Sequence, residues 1–120
     1  MSVSDEFSPK TLKPSRNVPV RFKGRIIAET QWDTREGCWM RYTVWETKGG
    51  AYIAQIDGDV PGKPDQVHCT VIVVEPIIDE AGERDETAMQ IAVLNGFEWH
   101  DRAKALLKRE LGWSPVREVD

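Results

Sequence analysis

The 120-residue sequence lacks long apolar runs and has only two cysteines. Its longest apolar run, residues 71–74, is of strand length and far below the ~20 residues of a membrane-spanning helix. The first ten residues contain no apolar stretch of the kind that a secretory signal has. Cys38 and Cys69 fall on predicted strands and indicate no disulfide framework. We therefore expect a cytoplasmic protein.

Motifs with phosphate-binding or metal-binding spacing are also absent. Neither GxxxxGK[S/T] nor GxGxxG occurs. The adjacent His68 and Cys69 point to opposite faces of a strand, so one zinc ion cannot easily bind both. We expect no metal and no cofactor. His100 and Asp101, preceded by Glu98, leave an acid–base role open, but an enzyme is less expected than a binding protein.

The net charge of −4 is unevenly distributed along the chain. Residues 1–30 carry six bases and three acids, whereas residues 75–120 carry six bases and eleven acids. An acidic chain gains little from nonspecific attraction to nucleic acid, but a local basic stripe still acts within a Debye length of ~8 Å. Charge alone therefore favours neither a protein nor a nucleic acid as partner.

The strongest structural signal is a β-hairpin at the centre of the chain. Two β-type runs flank the turn Lys48-Gly49-Gly50, and glycines reach the positive φ angles that tight turns need. Further strands precede and follow the hairpin, and a segment with two glycines and two prolines predicts a loop. The predicted strands are residues 18–30, 38–47, 51–56 and 67–75, and the predicted loop is residues 57–66.

Helical patterns occupy the C-terminal third. Residues 101–111 have an apolar stripe, with Asp101 as a suitable N-cap and Gly112 at the left-handed stop position. Residues 87–95 fit a helix better than the alternative, a short strand. Strands followed by helices predict an α+β domain, here an antiparallel sheet of about four strands (a meander) packed on one or two C-terminal helices. We expect this domain over residues 17–120, behind a flexible N-terminal arm at residues 1–16.

The central strands carry two motifs separated by a polar spacer, RFKGRIIAE and YTVWETKGGAYIA. In this order they resemble a stretch of the actinobacterial EXLDI proteins, a family without an assigned function. The resemblance covers residues 22–57, while the C-terminal signature that gives the family its name is absent. The resemblance therefore implies the meander and no function.

Five tryptophans in 120 residues are about three times the usual content. On the predicted strand at residues 38–47, Met40 and Tyr42 share one face and Trp39 and Trp45 share the other. If the helices cover the first face, the two indoles project from an uncovered face, with Trp32 near them. The alternative is a sheet that curls into a partly closed barrel, or a loop and tail that cover these rings.

An exposed aromatic sheet face predicts a binding surface. We expect a small non-enzymatic protein-binding module, an inhibitor, adaptor or accessory factor of the kind that phages and plasmids carry, which binds another protein or a second copy of itself as a homodimer. Single-stranded nucleic acid is the alternative, because bases stack on aromatic rings and cations follow the backbone. A small enzyme or ligand binder that uses His100 and Asp101 is a second alternative. The predicted partner-binding residues are Trp32, Trp39, Trp45, Arg41, Arg21, Lys23 and Arg25.

Overall fold

Five antiparallel strands followed by two helices make up the fold. The computed structural model describes residues 7–34, 37–60 and 62–116. Each strand pairs with the next along the chain, so the sheet order is β1-β2-β3-β4-β5. The α+β meander is confirmed, with five strands instead of about four. The elements are β1 (Ser8–Leu12), β2 (Val20–Asp33), β3 (Trp39–Thr47), β4 (Tyr52–Val60), β5 (Lys63–Val74), α1 (Glu86–Gly96) and α2 (Asp101–Leu111).

The additional strand, β1, lies within the segment that was expected to be a flexible arm. It pairs with the start of β2, from Ser8 opposite Gly24 to Leu12 opposite Val20. Ladder hydrogen bonds offset the ordering entropy of a segment that has few large apolar side chains of its own. The expectation of a flexible arm is therefore wrong for residues 8–12, and residues 1–6 lie outside the described part of the chain.

The loop expected at residues 57–66 is mostly a second hairpin. Strand β4 continues to Val60, which pairs with Lys63 at the start of β5, and the register shifts between Asp59 and Val60. Gly58 in β4 lies opposite Met40, whose sulfur is 2.5 Å from where a Cβ of residue 58 would be. Strand β5 lies at the edge of the sheet.

A β-bulge in β2 decides which face its side chains line. Ile26 pairs with Trp45 and Ala28 pairs with Val44, which leaves Ile27 as an extra residue. A shift of one residue moves every later side chain to the other face. Even-numbered residues therefore face away from the helices before the bulge and toward them after it. Ile26 and Ala28, which strict alternation would place on one face, therefore lie on opposite faces of the sheet.

Both helices pack on one face of the sheet, and both were predicted. The shorter pattern at residues 87–95 is helical, as favoured. The predicted stripe of α2 is buried at Ala103, Leu106 and Leu107. The core between the two layers comprises Ala28, Tyr42, Val44, Tyr52, Ala54, Val74, Met89, Val93, Leu94, Phe97, Ala103, Leu106 and Leu107.

The ends of α2 follow local capping rules with one correction. The N-cap is His100, whose Nδ1 accepts a hydrogen bond from the Arg102 N–H at 3.1 Å, and Asp101 is the first helical residue instead. Gly112 ends the helix with φ of 67°, as predicted. Neither α1 nor α2, the helices of the described chain, is long and apolar enough to cross a membrane.

A group of hydrogen-bonded side chains fixes the start of α1 to β4. The Tyr52 hydroxyl donates to the Glu86 carboxylate, to which Arg84 Nε also donates at 2.8 Å. Burial, followed by the hydrogen bond to Glu86, raises the pKa of Tyr52 to about 12. Burial acts to raise the pKa of Glu86, but the hydrogen bonds from Tyr52 and Arg84 outweigh it and lower that pKa.

The raised pKa of Tyr52 predicts a loss of stability at alkaline pH. A tyrosine whose pKa is higher in the folded state contributes stability that is complete below pH 10 and is lost as the pH rises through about 12. We expect the free energy of unfolding in urea to fall more steeply with pH in this window for the wild type than for Tyr52→Phe. Equal alkaline losses in the two proteins would contradict the prediction, because the other tyrosine, Tyr42, is present in both.

Candidate functional site

The sheet curls toward the face that the helices leave free. Strands β1 and β5 are at opposite ends of the sheet order, yet the connection after β1 reaches the outer edge of β5. The Ser15 N–H donates to the Cys69 carbonyl at 2.9 Å, and the Cys69 N–H donates to Ser15 Oγ at 2.8 Å. The sheet is thus a half-barrel, which confirms the partly closed barrel that the sequence left open.

The apolar end of the concave face is built by one row of side chains that crosses four strands. Ile26, Trp45, Ile53 and Val73 lie opposite one another in register. The two central side chains are buried, with 7% of Trp45 and 1% of Ile53 exposed. The outer two remain open to solvent, with 44% of Ile26 and 41% of Val73 exposed. The curl therefore seals the centre of the row and leaves its margins uncovered.

The next rows of the concave face are polar and hydrogen-bonded to one another. Trp45 Nε1 donates to Gln55 Oε1 at 2.8 Å, and Gln55 Nε2 donates to the Asp57 carboxylate at 3.0 Å. Arg41 Nη2 also donates to Asp57, at 3.2 Å. Asp57 is buried, so these bonds offset the cost of removing its charge from water. The chain of bonds gives the buried indole N–H the partner that it requires.

The tryptophans do not form one exposed surface. The expectation that Trp45 is exposed is wrong, because the half-barrel encloses its ring. Trp39 lies on the concave side but is half-buried, with the Arg41 guanidinium 5.3 Å from its ring centroid. Trp32 is on the helix side, 4.8 Å from the Tyr42 ring, because the bulge in β2 reverses the facing of residues that follow it. The uncovered aromatic face is therefore absent from the described chain.

The four basic residues predicted to bind a partner also do not form one surface. Arg25 donates to Glu46, with Nη2 and Oε1 2.9 Å apart, and its guanidinium lies 4.9 Å from the Phe7 ring centroid. Arg41 is held by Asp57, as described. Arg21 and Lys23 remain exposed, and both lie beside a cleft that the sequence did not reveal.

That cleft, of about 520 Å³, opens at the apolar end of the concave face. Its apolar side chains come from β2, β4, β5 and the residue before β4, and they are Val20, Phe22, Ala51, Ile53 and Val73. Its charged residues are Arg21, Lys23, Lys48 and Glu75. The three bases have no ion-pair partner among the described side chains. The lining of the cleft thus carries three bases against one acid. Arg21 and Lys23 alternate with Val20 and Phe22 along β2, so these two bases lie at the rim of the cleft and not on its concave floor.

The turn between β3 and β4 is fixed over this cleft. The Lys48 N–H donates to the Lys23 carbonyl at 2.8 Å, and the Gly50 N–H closes the turn on Thr47 at 3.0 Å. Lys48 was assigned only to a turn by the sequence, and Val73 and Glu75 only to a strand. The curl of the sheet brings them together, so no local pattern could have identified the cleft. Of the residues that line it, the sequence had assigned only Arg21 and Lys23 to a binding surface.

The floor of the cleft depends on close packing at Gly24. A Cβ at this position would lie 2.5 Å from the Phe22 ring and 2.9 Å from the Glu46 carbonyl oxygen. The Phe22 ring in turn meets Trp45 edge-on, with centroids 5.4 Å apart. Glycine is required here because Phe22 folds back over its own strand.

The residues considered for catalysis or metal binding do not line the cleft, and they have structural partners. The His100 ring caps α2 and stacks on Trp32, with centroids 5.8 Å apart, and Asp101 pairs with Lys104 at 3.2 Å. Burial, followed by the Asp57 carboxylate, raises the pKa of Cys69 to about 11, so its thiol stays protonated at neutral pH. Within residues 7–34, 37–60 and 62–116, no three His, Cys, Asp or Glu side chains are grouped to hold a metal ion.

Comparison with known proteins gives no relative for this chain. No family model matches it, and no match was found among curated proteins or solved structures. The resemblance to the EXLDI proteins therefore stays a prediction.

We expect Trp45→Ala to lower the free energy of unfolding by about 3–5 kcal/mol, because it empties the centre of the half-barrel and removes the partner of Gln55. Trp39→Ala, at the half-buried position of the same strand, is the matched control and is expected to cost about 1–2 kcal/mol. Urea unfolding measures both values. Equal costs would contradict the enclosure of Trp45.

Gly24→Ala is expected to destabilise the protein by about 1–3 kcal/mol, because the Phe22 ring must leave its place against Trp45. Gly49→Ala is the control, since a Cβ there has no neighbour nearer than Thr47 Oγ1 at 4.0 Å. We expect the control to change the stability by no more than about 0.5 kcal/mol. Urea denaturation of the two variants would refute the close packing if their midpoints moved equally.

Proposed function

We propose that the protein is a small non-enzymatic binding module that recognises another polypeptide through the cleft at the apolar end of its concave face. The observation that carries the proposal is the apolar surface that the monomer leaves partly uncovered at the cleft. Val73, which lines the cleft, is 41% exposed, while Ile53 beside it is buried. Exposed apolar surface bordered by polar groups is typical of protein interaction sites.

The charges around the floor favour an acidic partner. Arg21, Lys23 and Lys48 outnumber the single carboxylate of Glu75. Complementary charge at the rim of an interface steers association and selects against partners of the wrong sign. The partner segment that fits therefore combines an apolar side chain with neighbouring carboxylates.

A polypeptide suits this surface better than single-stranded nucleic acid. Base stacking requires accessible rings, but Trp45 is buried. Two of the four cations proposed to follow a backbone, Arg25 and Arg41, are engaged with Glu46 and Asp57. The cellular role, an inhibitor, adaptor or accessory factor of the kind that phages and plasmids carry, stays a prediction, as does the cytoplasmic location.

Selection from a random peptide display library tests the proposal. We expect the wild type to enrich peptides in which an apolar residue is flanked by Asp or Glu, and we expect Val73→Asp to bind the selected peptides at least tenfold more weakly. Val67→Asp is the matched control, because Val67 is an exposed residue of the same face and strand outside the cleft. We expect it to bind like the wild type.

Two results would overturn the proposal. One is equal peptide binding by the Val73→Asp and Val67→Asp variants, with both shown to be folded by circular dichroism. The other is the absence of enriched peptides together with tight, salt-sensitive binding of a fluorescent oligothymidine by the wild type, which would favour the nucleic-acid alternative.

A further inference from the structure

The connection between β5 and α1 forms an ordered protrusion, here called the acidic hairpin (residues 77–85). The Asp79 N–H donates to the Glu83 carbonyl and the Asp85 N–H to the Ile77 carbonyl, both at 2.7 Å. The Asp79 carboxylate accepts hydrogen bonds from the N–H groups of Ala81 and Glu83, both at 2.9 Å. The hairpin is therefore held in one conformation before it meets any partner.

The chemistry of the acidic hairpin is the counterpart of the cleft. The Ile78 side chain is 57% exposed, and it lies among the exposed acidic residues Asp79, Glu80 and Glu83. Arg84, the one base of the hairpin, is engaged by Glu86 and by the Gly50 carbonyl. The hairpin thus presents an apolar side chain surrounded by negative charge, which is the type of segment that the cleft favours.

The acidic hairpin and the cleft lie next to each other on the same chain. Arg84 Nη1 donates to the Gly50 carbonyl at 2.5 Å, and Gly49, the preceding residue, lines the cleft. Glu75, also at the cleft, is two residues before the hairpin begins. The described residues that line the cleft include none from the hairpin. A chain therefore does not fill its own cleft, although it carries the matching segment beside it.

We propose that the partner is a second copy of this chain, and that two copies form a two-fold symmetric dimer in which the acidic hairpin of each contacts the cleft of the other. This inference rests on the proposed function, because it uses the same cleft. A surface that carries both complementary halves side by side suits an isologous contact, in which each contact occurs twice. The ordered hairpin reduces the entropy lost on association. Charge pairing makes the dimer sensitive to salt.

Charge reversal tests this dimer by complementation. The cleft variant is Arg21→Glu/Lys23→Glu, and the hairpin variant is Glu80→Lys/Glu83→Lys; Asp79 is left unchanged because it holds the hairpin together. We expect the wild type to dimerise in light scattering over a concentration series, and each variant alone to be monomeric. An equimolar mixture of the two variants is expected to dimerise, because both of its contacts again pair opposite charges. Recovery in the mixture also shows that both variants are folded.

The apolar contact has its own variant. Ile78→Ser is expected to raise the dimer dissociation constant at least tenfold, whereas Val116→Ser, at a more exposed valine outside the cleft and the hairpin, leaves it unchanged. A wild type that is monomeric at every concentration would overturn the inference. Dimerisation of each charge-reversed variant by itself, or failure of the mixture to dimerise, would also overturn it.

The two proposals fail in different ways. If the wild type stays monomeric but still enriches acidic apolar peptides that Val73→Asp loses, the second copy is excluded and the binding cleft stands. If Val73→Asp still binds the selected peptides while the mixture of charge-reversed variants dimerises, the cleft binds the second copy of the chain and not other polypeptides. The proposed function then fails, and the dimer stands.

Discussion

Burial of the Trp45 indole inside the curled sheet is the constraint on which the concave face depends. The ring needs an apolar cover, which Phe22 provides by folding over Gly24. Its N–H needs an acceptor in a place that water reaches poorly, and Gln55 provides it. Because Gln55 is in turn bonded to Asp57, one ring determines both the apolar and the polar half of the face.

The uneven covering of this face creates the candidate site. The contact between Ser15 and Cys69 closes the sheet beside the polar rows, where the buried groups have partners. At the other end no described segment covers Val73 and the cleft that it lines. The same end carries bases from β2 and from the β3–β4 turn, and the acidic hairpin starts close by. Apolar floor, positive rim and acidic protrusion are therefore consequences of how one end of the half-barrel is left open.

Local patterns predicted the elements whose signals are local. The turn at Lys48-Gly49-Gly50 and both C-terminal helices with their Gly112 stop depend on backbone preferences and apolar spacing over a few residues. Strand β1 and the extension of the β4–β5 hairpin into residues 57–66 were missed because the glycines, prolines and polar side chains of these segments indicate turns, whereas ladder pairing orders both segments. Gly58, which reads locally as a loop residue, is instead a strand residue that makes room for Met40.

The sequence by itself determined the α+β class and the order of the predicted strands and helices. It also determined that Trp39 and Trp45 share the strand face opposite to Met40 and Tyr42, since alternation along a strand needs no tertiary information. Only the tertiary structure decided that Trp45 is enclosed, that Trp32 lies on the helix side, and that Arg21, Lys23 and Lys48 surround one cleft. The bulge at Ile27 and the curl of the sheet produce these results. Both arise from pairing between residues far apart in the chain, and a side chain's accessibility depends on such pairing and not on its neighbours in sequence.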